Sequence, residues 1–442
     1  MSAVEKELTG DPAPTAGNQC SAIRSRAYRK IGMRIIPLLF LSYVVNFLDR
    51  VNVGIAQLQM SEDLGFSAAV YGLGAGIFFI GYFCFEIPSN LLLRRFGARI
   101  WIARIMISWG VLSGLVMFTQ TAWQFYLIRF LLGVAEAGFF AGVILYLTYW
   151  YTNARRARAT AYFFTAVAVS GVVGGLVSGW ILEALDGVGG LHGWQWMFLL
   201  EALPAVLLGI IVLGLLPSTP DQAKWLTDDE KEAVQGDLST ENSVKPVHST
   251  WSGLKDGRVL LLSAIYFCFV LGSYGIAFWM PQIIRQAGAT SLLEVGLLSA
   301  IPWGVAIVVM VLGSKSSDRT RKRRLHSGGA AVLGAAGLLI VVAAEDSLTA
   351  TMIGLVVATA GVFTALPLFW SLPTSFLATG AAAVGLATIN SIGNLGGFAS
   401  NYIMGWITTA TGSASWATVI LAGTLLIGTL LMTRIPGHLT DK

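Results

Sequence analysis

Charge is what this 442-residue chain has least of: Asp, Glu, Lys and Arg together make up 12% of it, against roughly 25% in a soluble globular domain. With 55% hydrophobic residues and a mean hydropathy of +0.69, a fold bathed on all sides by water is excluded. Cysteine is nearly missing. Cys20, Cys84 and Cys268 are an odd number with no metal-ligand spacing, which sets aside a disulfide framework and a thiolate metal site and leaves all three read as unpaired. Histidine is as sparse, and His192, His248, His326 and His438 are read as lying outside the apolar runs, so a proton crossing mid-span must ride on a carboxylate. No nucleophile motif, metal cluster or phosphate-binding loop occurs, so neither an enzyme nor a cofactor is expected.

Long apolar runs are what the chain does have, each near the roughly 20 residues that cross a bilayer. Twelve recur, near 33–56, 68–93, 100–119, 122–150, 159–184, 195–216, 259–281, 293–313, 326–344, 349–371, 382–409 and 415–434. This predicts an all-α polytopic membrane protein whose partner on every side is the lipid bilayer. The net charge of +5 belongs to its topology and not to nucleic acid. Arg24, Arg26, Arg29, Lys30 and Arg34, then Arg94, Arg95 and Arg99, then Arg155, Arg156 and Arg158, then Lys315 and the cations from Arg319 to Arg324 all fall on one side of the spans. Opposite them lie Glu62, Asp63, Asp186, Glu345 and Asp346, with Arg285 as the one loop cation found there. The positive-inside rule then places both termini in the cytoplasm, in a cell (inner) membrane.

The organisation follows from where polarity interrupts hydrophobicity. Residues 1–30, with Pro12, Pro14 and Gly17, read as an uncleaved, disordered tail. Residues 31–216 form a first six-helix bundle, 217–257 a cytoplasmic linker, 258–434 a second bundle and 435–442 a short cytoplasmic tail. Thr227-Asp228-Asp229-Glu230 fits a capping box that starts a linker helix, and the stretch around 239–250 reads as flexible. The second half echoes the first at an offset of roughly 225 residues, as in a duplicated unit. In span 5, Gly171, Gly175 and Gly179 read as a packing face, and Gly72 and Gly76 of span 2 admit a close neighbour.

Against that apolar background, Asp49 and Arg50 of span 1 demand an explanation, because a charge in mid-membrane costs about 2.5–3.5 kcal/mol on insertion scales. Neighbouring helical residues point about 100° apart, so each must look to another helix. Span 4 carries Arg129 and Glu136, seven residues apart on one face. From their depths, Asp49 and Arg129 are expected to pair, with Glu136 roughly 10 Å further in. Two readings stay open, a structural ion pair that locks helices or a functional site in a polar cavity. Glu86, one turn after Tyr82, is read as bonding to a neighbouring helix or the following loop as readily as taking part in transport. Glu201 is read as an interfacial structural acid near Trp194 and Trp196. The second half offers aromatic and amide groups in place of charge, among them Tyr274, Trp279, Trp303, Trp370, Ser371, Asn390 and Asn394.

Four stretches together, Asn46 to Ala56 (NFLDRVNVGIA), Glu86 to Arg99 (EIPSNLLLRRFGAR), Arg129 to Phe140 (RFLLGVAEAGFF) and Pro220 to Leu226 (PDQAKWL), give the chain over residues 30–434 a resemblance to the major facilitator superfamily. Within it, the chain resembles the anion:cation symporters that include bacterial tartrate, galactonate, phthalate and hydroxyphenylacetate permeases. The resemblance implies two six-helix bundles around a central cavity, alternating access, and protons cotransported with a small organic carboxylate such as tartrate, a sugar acid or an aromatic acid. It also implies proton coupling and anion binding at Asp49, Arg50, Arg129 and Glu136, and pocket roles for Tyr82 and Asn390. The chain departs at Arg94, where the facilitator loop usually carries an aspartate. It departs again at Phe47 and Ala168, where sugar-acid relatives are polar, which weighs toward a less hydroxylated or aromatic acid.

The assignment carried forward is proton coupling on Asp49 and Glu136, with substrate binding by Arg50, Arg129, Tyr82, Tyr274, Trp370, Asn390 and Asn394, in a monomer. An arginine grips a carboxylate bidentately, and aromatic faces pack an apolar body. A guanidinium moving on or off a carboxylate switches that acid's proton affinity. The nearest rival is a drug or metabolite:proton antiporter of the same fold, against whose cationic substrates the two mid-membrane arginines weigh; a channel or a sensor would lack saturable uptake driven by a pH gradient.

Overall fold

The computed structural model describes residues 16–242, 257–344, 347–373 and 382–435. Glu345, Asp346, His248, His438 and most of the expected flexible linker lie outside the described residues. Span 1 consists of α1 (Ala16–Val51) and α2 (Val53–Asp63), spans 2 and 3 are α3 (Ala68–Phe96) and α4 (Ala98–Leu115), and span 4 divides into α5 (Ala122–Glu136) and α6 (Phe139–Leu147). Spans 5 and 6 are α7 (Asn153–Ala184) and α8 (Gly193–Leu215), followed by the linker helix α9 (Asp228–Asn242). The second half comprises α10 (Gly257–Gln286), α11 (Leu292–Thr320), α12 (Arg323–Ala343), α13 (Leu348–Trp370), α14 (Ala382–Thr411) and α15 (Ser415–Met432). Eleven of these spans have the length and apolarity to cross a membrane, and α14, with 30 residues, completes the twelve.

Helix starts are written in the sequence by polar caps. On the face away from α9, Ser67, Thr121, Ser291 and Ser347 accept hydrogen bonds from the backbones of Val70, Gln124, Glu294 and Ala350, satisfying donors that the first helical turn leaves open. Thr227 and Glu230 close the expected capping box, with Thr227 N to Glu230 Oε2 at 3.0 Å and Glu230 N to Thr227 Oγ1 at 3.4 Å. His326 is a small correction: it sits in the first turn of spanning helix α12, at an exposed end, beside Ser316 Oγ at 3.0 Å.

Span 4 is not the continuous helix its hydrophobicity suggests. Gly138 takes a left-handed conformation, with φ of +83°, and a Cβ there would meet Ser89 Cβ at 2.8 Å. Only glycine tolerates both conditions cheaply. The break falls two residues after Glu136, which therefore sits in the last turn of a helix at the bundle's centre.

The linker helix is docked and not loose. Lys30 Nζ lies 2.7 Å from Glu230 Oε2 and Arg24 lies 3.0 Å from Asp237, while the Tyr28 hydroxyl donates to Asp237 at 3.1 Å. Trp150 and Trp225 stack at 5.9 Å. The contacts of Arg24, Tyr28 and Lys30 place α9 beside the beginning of α1, so from Ala16 onward the expected disordered tail is instead helix.

The two halves meet through glycines. Gly72 of α3 packs against the backbone of Asn401 and Gly405 on α14, and on the opposite flank Gly296 of α11 packs against Gly175 and Gly179 of α7. The stripe in span 5 is thus a packing face, as expected. The residues of one crossing map onto those of the other at about the offset of 225 that separates Gln57 from Gln282, which are hydrogen bonded to each other at 2.8 Å. Duplication explains why the two crossings match. Both lie toward the end remote from α9, which they close. Gly296→Val is expected to shift the equilibrium against this closure by about 1–3 kcal/mol, the usual cost of overpacking. Crosslinking between cysteines placed at Ala69 and Thr409, whose backbone N and Oγ1 are 2.8 Å apart, measures the loss of closure.

Candidate functional site

Arg50 is the hub where the halves meet. Its Nε donates to Glu136 Oε1 at 2.9 Å, its second terminal nitrogen makes an ion pair with the same oxygen, and NH1 donates to the Tyr274 hydroxyl at 2.7 Å. The guanidinium therefore ties α1 to α5 within the first half and to α10 of the second. Its carbon lies 5.2 Å from the ring centroids of both Phe78 and Tyr82, so Tyr82 reaches the site as an aromatic wall. Arg50 and Glu136 are buried, and Glu136 Oε2 has no hydrogen-bond partner among the described residues.

Asp49 turns the other way along α1, as adjacent helical positions require. It accepts hydrogen bonds from Trp109 Nε1 at 3.0 Å and Ser113 Oγ at 3.1 Å, both on α4. The expected Asp49–Arg129 pair is therefore not formed. Arg129 is fully buried, with Nε 3.4 Å from the Gly74 carbonyl and its carbon 5.1 Å from the Phe78 ring. Its two terminal nitrogens have no hydrogen-bond partner among the described residues. The azimuth that turns Asp49 to α4, and hands Glu136 to Arg50 instead, was not readable from depth along the helices. Trp109 and Ser113, four residues apart on one helix face, were the missed partners.

Between the halves lies a cavity of about 70 Å³ lined by Tyr43, Phe47, Tyr266, Ser273, Tyr274, Phe363 and Asn394, among others. Phe47 and Tyr274 stack at 6.5 Å, and Trp303 meets Phe363 at 4.5 Å. Trp370 abuts Tyr266 at 4.9 Å. Tyr274 and Asn394 thus touch the cavity, whereas Trp370 stands behind its wall. Asn390 is committed elsewhere: its Nδ2 donates to Glu86 Oε1 at 2.6 Å, across the interface between the halves. Among the described residues of the second half, no buried side chain is charged, so the division of charge from amide and aromatic groups holds in three dimensions.

Glu201 is no interfacial acid. It lies two turns inside α8, buried, accepting from Asn52 Nδ2 at 3.1 Å and Ser178 Oγ at 2.6 Å. Cys84 and Cys268 are free.

The arrangement offers one guanidinium shared between an acid and a tyrosine, a second guanidinium with donors in reserve, and an aromatic chamber on the seam of two pseudo-symmetric halves. Known proteins share its framework. A putative tartrate transporter of Agrobacterium vitis is 49% identical over 92% of this chain and 91% of its own length. A quinolone resistance transporter of Acinetobacter baumannii is 38% identical over 91% and 93%. The xylose transporter XylE from E. coli, solved in a partially occluded inward-open conformation, superposes with a TM-score of 0.70 at 13% identity, covering 91% of this chain and 98% of its own. The sequence signature of the Major Facilitator Superfamily matches residues 39–401. With that signature over most of its length and twelve spans in two halves closed on glycine crossings, the chain belongs to the Major Facilitator Superfamily, as a multi-pass membrane transporter and not an enzyme.

Proposed function

We propose that this protein carries a small organic carboxylate across the cell membrane together with protons, by alternating access about the cavity between its halves. The observation that carries the reading is the buried Arg50–Glu136 pair with Tyr274 on its third side. An incoming carboxylate competes with Glu136 for the guanidinium. Once displaced, Glu136 is a buried carboxylate without a counter-ion, and desolvation drives such a group to take up a proton. Substrate and proton thereby bind in one step, which is the requirement of symport. Asp49, held by Trp109 and Ser113, and Arg129, with two free donors, supply a second acid and a second base in the same half. The relative named as a tartrate transporter supports an organic anion as cargo.

The test is uptake into proteoliposomes loaded at a higher internal pH. A carboxylate accumulates only while the pH gradient lasts, and a protonophore abolishes accumulation. An antiporter gives the reverse, extrusion driven by the inward gradient; the relative named for quinolone resistance is the observation that favours this second reading.

The side on which the basic loops fall supports a topology with α9 and both termini in the cytoplasm. Ser239 is exposed on α9, so a cysteine there is expected to resist an impermeant maleimide in intact cells and to react in inverted vesicles.

A further inference from the structure

Glu86 has no part in the coupling just described, yet it makes the polar contact that joins the halves on the α9 side of the cavity. Its carboxylate accepts from Asn390 Nδ2 at 2.6 Å and from Ser391 Oγ at 2.9 Å, both on α14, and the group is buried. It makes no ion pair among the described residues, since Arg50 is committed to Glu136. The charged and titratable groups that face it are Arg50 on α1, Tyr82 one turn back on α3 and Tyr266 on α10, while α14 presents it with neutral donors. At the remote end the halves meet chiefly through buried glycine backbones, which no proton can alter, with one exposed carboxylate, Glu183, accepting from Leu293 N at 2.8 Å beside them. On the α9 side they meet through an acid.

We infer that Glu86 is a proton-operated latch: ionised, it holds α3 to α14 and keeps the α9 side shut, and on taking a proton it lets α14 swing away. Hydrogen bonds to an ionised acceptor are roughly twice as strong as neutral ones, so protonation weakens both contacts at once without disturbing the glycine crossings. Opening would thus be tied to a proton at a site distinct from Asp49 and Glu136, whatever the substrate.

The experiment measures distances between spin labels at Leu91→Cys on α3 and Leu386→Cys on α14, in full-length protein in nanodiscs, with Cys20, Cys84 and Cys268 replaced by serine. With Glu86 intact, acidification shifts the population from short to long distances. In Glu86→Gln the distribution no longer responds to pH. Ser391→Ala and Asn390→Ala leave the acid in place and remove one donor each, so each moves the midpoint of the transition to higher pH by about one unit; these variants decide the matter if Glu86→Gln does not fold. A pH response retained in Glu86→Gln overturns the inference. So does a loss of the short population in the donor variants that is equal at every pH, which is the signature of a structural contact alone.

Discussion

Glu136→Gln is expected to abolish accumulation of substrate against its gradient while exchange of labelled for unlabelled substrate continues in proteoliposomes. Glutamine keeps the size of the side chain and can still accept from Arg50, but it is permanently uncharged, so it imitates the protonated acid. Exchange moves no net proton and needs only the cavity and its arginines. In the wild type, one coupled proton under a gradient of one pH unit supplies about 1.4 kcal/mol, a tenfold accumulation; in the variant the ratio falls to one, and the exchange rate loses its pH dependence. Asp49→Asn tests the second acid in the same way. Trp109 and Ser113 can still donate to an asparagine oxygen, so the fold is expected to survive. If both acids carry protons with a monoanion, each cycle moves net charge, worth about 2.3 kcal/mol per 100 mV, and an inside-negative potential accelerates uptake. A helix-locking role predicts something else, the loss of exchange and accumulation together. Accumulation at wild-type pH dependence in both amide variants would remove these acids from the pathway.

The second large effect is at Arg50. Its planar fork contacts Glu136 through two nitrogens and Tyr274 through a third, a geometry that a lysine ammonium cannot reproduce. Arg50→Lys is expected to weaken carboxylate binding by roughly tenfold to a hundredfold, the worth of one charge-assisted hydrogen bond. Isothermal titration on purified protein measures it. Arg50→Ala goes further, because it strands Glu136 in the interior, and breaking a buried pair on one side costs about 3–5 kcal/mol. The double variant Arg50→Ala/Glu136→Gln is therefore expected to be more stable than Arg50→Ala alone, although neither binds substrate. Unchanged affinity in Arg50→Lys would move the anion site to Arg129.

The same residues show how far a linear reading reaches. Hydrophobic periodicity and loop charge suffice for the twelve spans, and the glycine spacings in α3 and α7 mark the faces on which the halves close. Local chemistry also locates the α9 cap and the break of charge symmetry between the halves. Each of these is a property of one segment or of its immediate neighbours, and burial of a segment in lipid or against a helix leaves its mark on that segment's own composition.

Partner choice is a different matter. Asp49 and Arg129 read as lying at compatible depths, yet α1 is rotated so that Asp49 meets Trp109 and Ser113, and Arg50, next along the chain, takes the acid of α5. Glu86, left open between a structural and a transport role, and Asn390, read as a pocket amide, are bonded across the seam of the molecule. The kink at Gly138, which decides where the final turn of α5 delivers Glu136, is visible in the sequence only as one glycine among 50. The chain by itself determined which charges enter the membrane and in which half, because the cost of burying them is paid residue by residue. Which charge meets which partner was decided only by the tertiary structure, because the relative rotation of packed helices is set by every contact along their lengths at once.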